Sequence, residues 1–407
     1  MSGEEEQIIL KEFSERLQDV AQPHMDDQYL SRWLRARRYK IDKAEKMYRE
    51  HLTYRKKMDV DNLKKNFKIP EVLDKFFPAG GFCGEDRDGG LVFYQVFGRL
   101  DVHGMMRSVK ILDVIKFQIC MLEMVEDRLN AHSAKTGKQT FGMTVVYDLY
   151  NFGMQHLSKP VAEAFVQFLK MFEANYPEIL KKVIVVEAPS IFPIAFSIIK
   201  PFLSEDTRNK VFVCGSNWKE VLVQHIAPDQ IPVHYGGTMT DPDGDVMCKS
   251  KIRYGGVVPE SCYSQGIPAE ILEQMTSADV EPGTSLGLEV DVKTPGAVLR
   301  WLFKTEDCDI GFGVYKQRGS SNRYQDMEEV VPCSKHNSHL ILTDGELLCE
   351  EPGKYVVRFD NSYSWVRSKT LRYSVEVLEP GDESLTGVEG DVSQFTDNEK
   401  LQELTQD

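Results

Sequence analysis

The 407-residue chain has no apolar run near the roughly 18 residues that a membrane-spanning helix needs. Its eight cysteines lie far apart with no Cys-x-x-Cys pair, which argues against a zinc ribbon or a disulfide framework and favours reduced thiols. Positive charge is scarce: 49 Lys and Arg stand against 63 Asp and Glu, a net charge of −14, so no nucleic-acid partner is expected. The opening MSGEEEQ has neither the basic nor the apolar region of a secretory signal, and no Gly follows Met for myristoylation. A cytoplasmic protein is therefore expected. Catalytic signatures are missing too. There is no GxSxG elbow, no HExxH and no phosphate-binding GxxxxGK[ST] loop, since KTGKQT at 135–140 lacks the first glycine and the spacing. The nine histidines are scattered. The acidic turns EDRDGG and DPDGD look like calcium loops, but a loop starting at Asp241 puts Val246 where the sixth-position glycine is required. These absences predict no enzyme, no cofactor and no metal site.

What is present falls into three kinds of pattern. In 1–75 the apolar residues recur at helical spacing: Tyr29, Leu30, Trp33 and Leu34 after a capping Asp26 or Asp27, then Ile41, Ala44, Met47, Tyr48 and Leu52. Arg32, Arg35, Arg37, Arg38, Lys40 and Lys43 make this unit locally basic, either as a solvated face or as a contact for anionic head groups. In 76–245 strand patterns at 91–97, 141–149, 183–186 and 210–214 alternate with helical ones at 108–132, 159–175, 192–203 and 218–226. That order predicts βαβ units and a largely parallel sheet. Residues 246–275 read as a linker. Beyond it, Leu286, Leu288, Val290 and Val292, and again Leu371, Tyr373, Val375 and Val377, alternate with polar residues, the period of an antiparallel all-β sandwich over 276–380. The tail, 381–407, is polar and acidic and is expected to be disordered.

The stretch from Tyr176 to Gly237 organises the chain. The run Val183 to Val186 reads as a strand buried on both faces, as does Lys210 to Cys214; Cys214 there is a small apolar residue rather than a nucleophile. Between them, Phe192 to Leu203 is apolar almost all round, interrupted only by Ser197 and Lys200. Such a helix is either a core element or a movable lid over an apolar cavity.

The pattern AP…F…IKPFLS…T…K followed by IP…YGG resembles the CRAL-TRIO lipid-transfer family, and LRARRYKIDKAEKMYR resembles the helical region preceding that domain. The terminal sandwich, with ILTDGELLCEEPGKYVVRFDNSYSWVRSKTLRYSVEV, resembles a GOLD domain. The resemblance implies a carrier of a hydrophobic small molecule or phospholipid of the phosphatidylinositol, phosphatidylcholine, tocopherol, retinoid or squalene class. It also implies transient contact with a membrane surface. An alternative is a lipid-sensing adaptor whose GOLD-like domain recruits a protein partner. The implied pocket and gate draw on Ile119, Leu122, Tyr147, Phe168, Phe172, Ile184, Phe192, Ile194, Phe196, Ile198, Ile199, Phe202 and Leu203. By motif position, the Arg, Glu, Thr and Lys that hold an inositol phosphate in the family correspond to Arg37, Glu178, Thr207 and Lys210. One departure is Glu187, where many members carry Asn, which adds a negative charge near a sheet end.

Overall fold

The computed structural model describes residues 3–22, 25–137, 142–264, 272, 275–319, 321 and 323–380, so the expected acidic tail lies outside the described residues. The chain divides into two compact units, Met1–Ser264 and Gln265–Asp407.

The first unit opens with five helices: α1 (Gly3–Arg16), α2 (Asp27–Ala36), α3 (Ile41–Lys57), α4 (Val60–Asn66) and α5 (Glu71–Phe76). Asp26 caps α2 by accepting the Tyr29 backbone N–H at 2.7 Å. The helical spacing then brings Leu30, Trp33 and Leu34 of α2 against Phe13, Ala44, Met47 and Tyr48. Two of the basic residues are engaged within this unit. Arg32 pairs with Glu126 at 2.6 Å and donates to the carbonyl of Pro177, and Arg38 pairs with Glu205 at 2.8 Å. These contacts tie the helices to the domain that follows.

His51, 3 % exposed, faces Trp33 and bonds Asn175 at 3.1 Å. Burial drops its pKa from 6.5 to about 4. The unfolded chain therefore binds the proton first, so stability is intact above pH 6.5 and is lost as pH falls from 6.5 toward about 4. The loss is expected to reach roughly 3 kcal/mol, and His51→Gln is expected to flatten that slope. Denaturant melts between pH 7 and pH 4 check it; equal slopes in both proteins would contradict it.

The sheet of this unit runs β1 (Gly81–Glu85), β2 (Leu91–Gln95), β3 (Met143–Asp148), β4 (Leu180–Val186) and β5 (Val211–Val213), in that spatial order. β1 pairs antiparallel with β2, and the other pairings are parallel. The connections are α6 (Val102–Ser108) with α7 (Ile111–Thr136), α8 (Lys159–Asn175), and α9 (Phe192–Ile199) with α10 (Glu205–Asn209); α11 (Trp218–His225) follows β5. The helix expected over 108–132 is α7, which starts at Ile111, and α6 before it was not expected. Asp101 caps α6 by accepting the Gly104 N–H at 3.0 Å, and the extended backbone at Val109 and Lys110 separates α6 from α7.

Strand parity divides the packing. Val92, Tyr94, Val146, Ile184 and Val186 point to one face, where they pack with Trp218, Leu222, Tyr235, Cys248 and Ile252. Phe93, Met143 and Val145 point to the other, toward Leu122, Val125 and Leu129 of α7. Residues 246–264, expected as linker, belong to this unit. Cys248 and Ile252 are fully buried, Val258 is 1 % exposed, and Arg253 exchanges backbone hydrogen bonds with Gly80. The strand expected to be buried, β5, is the sheet's edge, with Phe212 43 % and Val213 50 % exposed.

The second unit has two four-stranded antiparallel sheets. One orders β10 (Glu328–His336), β9 (Ile310–Lys316), β12 (Gly353–Asp360) and β7 (Ser285–Val292); the other orders β11 (Thr343–Cys349), β8 (Ala297–Thr305), β13 (Lys369–Leu378) and β6 (Thr276–Val280). Alternate residues of these strands, among them Leu299, Trp301, Phe303, Phe312, Val314, Val357, Phe359 and Leu371, form one shared core.

Candidate functional site

The face of the sheet that carries Phe93, Met143 and Val145 does not fill its space. A cavity of about 280 Å³ lies between it, α7, α8 and α9. An apolar cavity of roughly 150 Å³ already stays dry and takes an aromatic guest. The strands contribute Phe93, Gln95, Met143, Val145, Tyr147, Val183 and Val185; α7 contributes Phe117, Gln118, Met121, Leu122 and Val125; α8 contributes Phe165, Phe168, Leu169 and Phe172. Phe192, Ala195, Phe196, Ile198, Ile199 and Leu203 close another side.

Of the expected pocket and gate residues, Leu122, Tyr147, Phe168, Phe172, Phe192, Phe196, Ile198, Ile199 and Leu203 line this cavity. Four others lie elsewhere. Ile184 has the wrong parity, since Val183 and Val185 take the cavity face and Ile184 is buried in the opposite core. Ile119 sits on the far side of α7 against Val60 and Leu63. Ile194 is 60 % exposed. Phe202 lies under the Lys170 ammonium, 5.0 Å from its ring centre.

The apolar stretch after Pro189 is α9 followed by a short 3-10 turn, Lys200–Phe202. Phe192 and Ala195 are buried, whereas Pro193, Ile194, Ser197 and Ile198 are exposed. The helix is thus apolar on the cavity side and largely apolar on the outer side as well. It is 8 residues long and has no acidic or basic residue.

Polar groups on the cavity wall are few. His156 accepts the Gly153 N–H at Nδ1 and donates from Nε2 to the Leu100 carbonyl, stacks on Phe152, and has its pKa lowered by burial. Its two ring nitrogens are both occupied. Gln95, Gln118 and His156 escape the sequence reading; the sole signal is that Gln95 ends an otherwise apolar strand.

Arg37, Glu178, Thr207 and Lys210, distant in sequence, all line one small cavity of about 40 Å³. Arg37 caps the end of α2 and donates to the Ala36 carbonyl at 2.9 Å. Glu178, in the turn before β4, has φ +60°, a strained region for a non-glycine residue. Thr207 lies in α10, where its hydroxyl accepts from Ser204 Oγ at 2.9 Å. Lys210 ends α10 and pairs with Glu178 at 3.5 Å. Glu173 and Asp206 also border this space, so two cations face three carboxylates. Phe172, Leu180 and Thr207 line both cavities, which makes them adjacent. Glu187 stands at the opposite end of β4, exposed and with φ +54°, the length of a strand away from Glu178.

The sequence pattern of the CRAL/TRIO domain matches residues 79–237, which span the sheet, α6 to α11 and the large cavity. Protein ctg-1 of Caenorhabditis elegans is 31% identical over 357 residues, covering 87% of this chain and 92% of its own length. Protein real-time of Aedes aegypti is 30% identical over 304 residues, covering 72% of this chain, which spans 46% of that longer protein. A solved structure of Sfh5 aligns with a TM-score of 0.48 at 16% identity, over 67% of this chain and 98% of that one.

Proposed function

Because this chain belongs to the CRAL/TRIO domain family, whose members bind and transfer lipids, we propose that it carries a hydrophobic molecule in its large cavity and delivers it at membranes. The observation that carries the reading is the apolar cavity of about 280 Å³ between sheet and helices. A packed domain has no use for such a void, since missing contacts weaken it. A chain of about sixteen carbons is held in a bilayer by roughly 13 kcal/mol. A carrier must offer an equally apolar, closed site and must open it at the membrane.

In this reading α9 is the gate, because its residues face both the cavity and the solvent with apolar surface. The cargo class is a phospholipid, tocopherol, retinoid or squalene-like molecule. The quartet would hold a phosphorylated head group beside the cavity. Arg37 and Lys210 would pair the phosphate, Thr207 would donate to it, and Glu178 would accept from inositol hydroxyls. The second unit resembles a GOLD domain, and the order of the modules is similar to that of supernatant protein factor and its tocopherol-associated relatives. A second reading, a lipid-sensing adaptor, is favoured by one feature of that unit: Trp365 is 94 % and Val366 86 % exposed, side by side.

The test is transfer between vesicles by Arg37→Ala combined with Lys210→Ala. Phosphatidylinositol transfer is expected to fall at least about tenfold, roughly 1.4 kcal/mol. Transfer of a neutral cargo such as tocopherol is expected to persist. Equal loss of both, or of neither, would remove the head-group role. A folded natural chain that transfers neither would favour the adaptor reading.

A further inference from the structure

On the wall of the large cavity three polar side chains keep atoms that no described residue satisfies. Gln95 and Tyr147 are register partners on the parallel strands β2 and β3, roughly 4.8 Å apart across the sheet, and both line the cavity. Gln118 lines it from α7. Gln95 donates from Nε2 to the Pro78 carbonyl at 3.1 Å, which leaves Oε1 as a free acceptor beside the cavity. The Tyr147 hydroxyl and the Gln118 amide have no hydrogen-bond partner among the described residues. Tyr147 is an interior residue, yet its hydroxyl is not sealed by packed atoms as those of Tyr54 and Tyr94 are. The open space beside it is the cavity. None of the three residues borders the smaller cavity of Arg37 and Lys210, so this place is separate from the quartet.

The geometry points to a hydroxyl-recognising subsite formed by Gln95, Tyr147 and Gln118, and so to a cargo that is an elongated apolar alcohol rather than a hydrocarbon. The inference rests on the carrier reading and deepens it. A hydrocarbon in the cavity leaves a phenol O–H, an amide and a carbonyl oxygen without water and without a partner, which is costly. A carbonyl group can accept from Tyr147 but has nothing to give the Gln95 oxygen. A hydroxyl does both, accepting from Tyr147 and donating to Gln95 Oε1, with Gln118 able to complete its second lone pair. Sites built to hydrogen-bond a hydroxyl discriminate strongly against the analogue that lacks it, because the site's own polar groups are then left unpaired.

The test uses the full chain and a matched pair of radiolabelled probes, phytol and its parent hydrocarbon phytane, partitioned at equilibrium between vesicles and protein. Each variant is compared with the natural chain, so the probes' different vesicle affinities cancel. The phytol-to-phytane uptake ratio is expected to drop about tenfold or more in Tyr147→Phe, which keeps the ring and its packing. It is expected to drop in Gln118→Leu also, while phytane uptake is unchanged in both. An unchanged ratio in both variants overturns the subsite. So does a parallel loss of both probes, which marks a structural role. If the natural chain takes up neither probe, the alcohol subsite is overturned, and the carrier reading is decided separately by the phosphatidylinositol and tocopherol transfer described above.

Discussion

Val145→Phe together with Val183→Phe is expected to abolish cargo loading while leaving the fold as stable as before. The two valines are register neighbours on β3 and β4, and both face the large cavity. Their added rings enter space that is already empty, so no neighbour has to move. The new contacts offset the small loss of strand freedom. The matched control is Val146→Phe, one residue along β3. Val146 is fully buried in the packed core on the other face, with Ile184 and Trp218. Over-packing there is expected to cost roughly 1–3 kcal/mol without blocking loading in the folded fraction. Cargo extraction and thermal melts of the three proteins separate the two faces of one sheet. A filled variant that still loads would mean that the cargo sits elsewhere.

Ile194→Asp with Ile198→Asp is expected to slow exchange with vesicles at least about tenfold, more than 1.4 kcal/mol on the exchange barrier. Ile194 is 60 % exposed and does not line the cavity, so the closed protein loses little there; Ile198 is 39 % exposed and also lines the cavity, so loading of the double variant is measured beside exchange. If α9 lies on the bilayer when open, each isoleucine contributes about 1.5–3 kcal/mol of apolar burial there, and a carboxylate in its place is repelled. Membrane contact favours the open state only through such differential contacts. Stopped-flow exchange of a fluorescent lipid measures the rate, and loading from detergent solution serves as the control. Normal exchange by the double variant would contradict the gate. Loss of folding would mark α9 as an ordinary core helix.

How much of this could be read in the sequence depended on whether a residue's position fixes its direction. The alternating strands of the second unit did so: Leu299, Trp301 and Phe303 face the core because every second residue must. The run Val183–Val186 did not. Both faces of β4 are covered, so no alternation marks Val183 and Val185 for the cavity and Ile184 for the opposite core. Ile119 misled for a related reason, since α7 is covered on two sides, by the cavity and by Val60 and Leu63 of α4. β1 was missed because GFCGE is short and carries two glycines. Gly84 needs φ +77°, and a Cβ there would meet the Gln230 carbonyl oxygen at 2.2 Å. DPDGD at 241–245 and the glycines of IRYGGVVPE signalled a linker, but turn residues say nothing of what a segment packs against, and here Cys248, Ile252 and Val258 are buried. Arg37, Glu178, Thr207 and Lys210 were grouped through the family resemblance alone, for no local pattern links Arg37 to Lys210, and what the structure adds is that they line one small cavity. Tyr147 was expected in the pocket, but Gln95 and Gln118 beside it were not, because an interior glutamine looks like a surface one until its surroundings are known.

The most direct test of the central claim, that the large cavity holds a hydrophobic cargo, is native mass spectrometry of the intact chain beside the Val145→Phe, Val183→Phe variant. The natural chain is expected to carry one stoichiometric apolar molecule, released by organic extraction and absent from the filled variant. A natural chain at its bare polypeptide mass after incubation with lipid vesicles, or an adduct that survives filling of the cavity, would contradict the account.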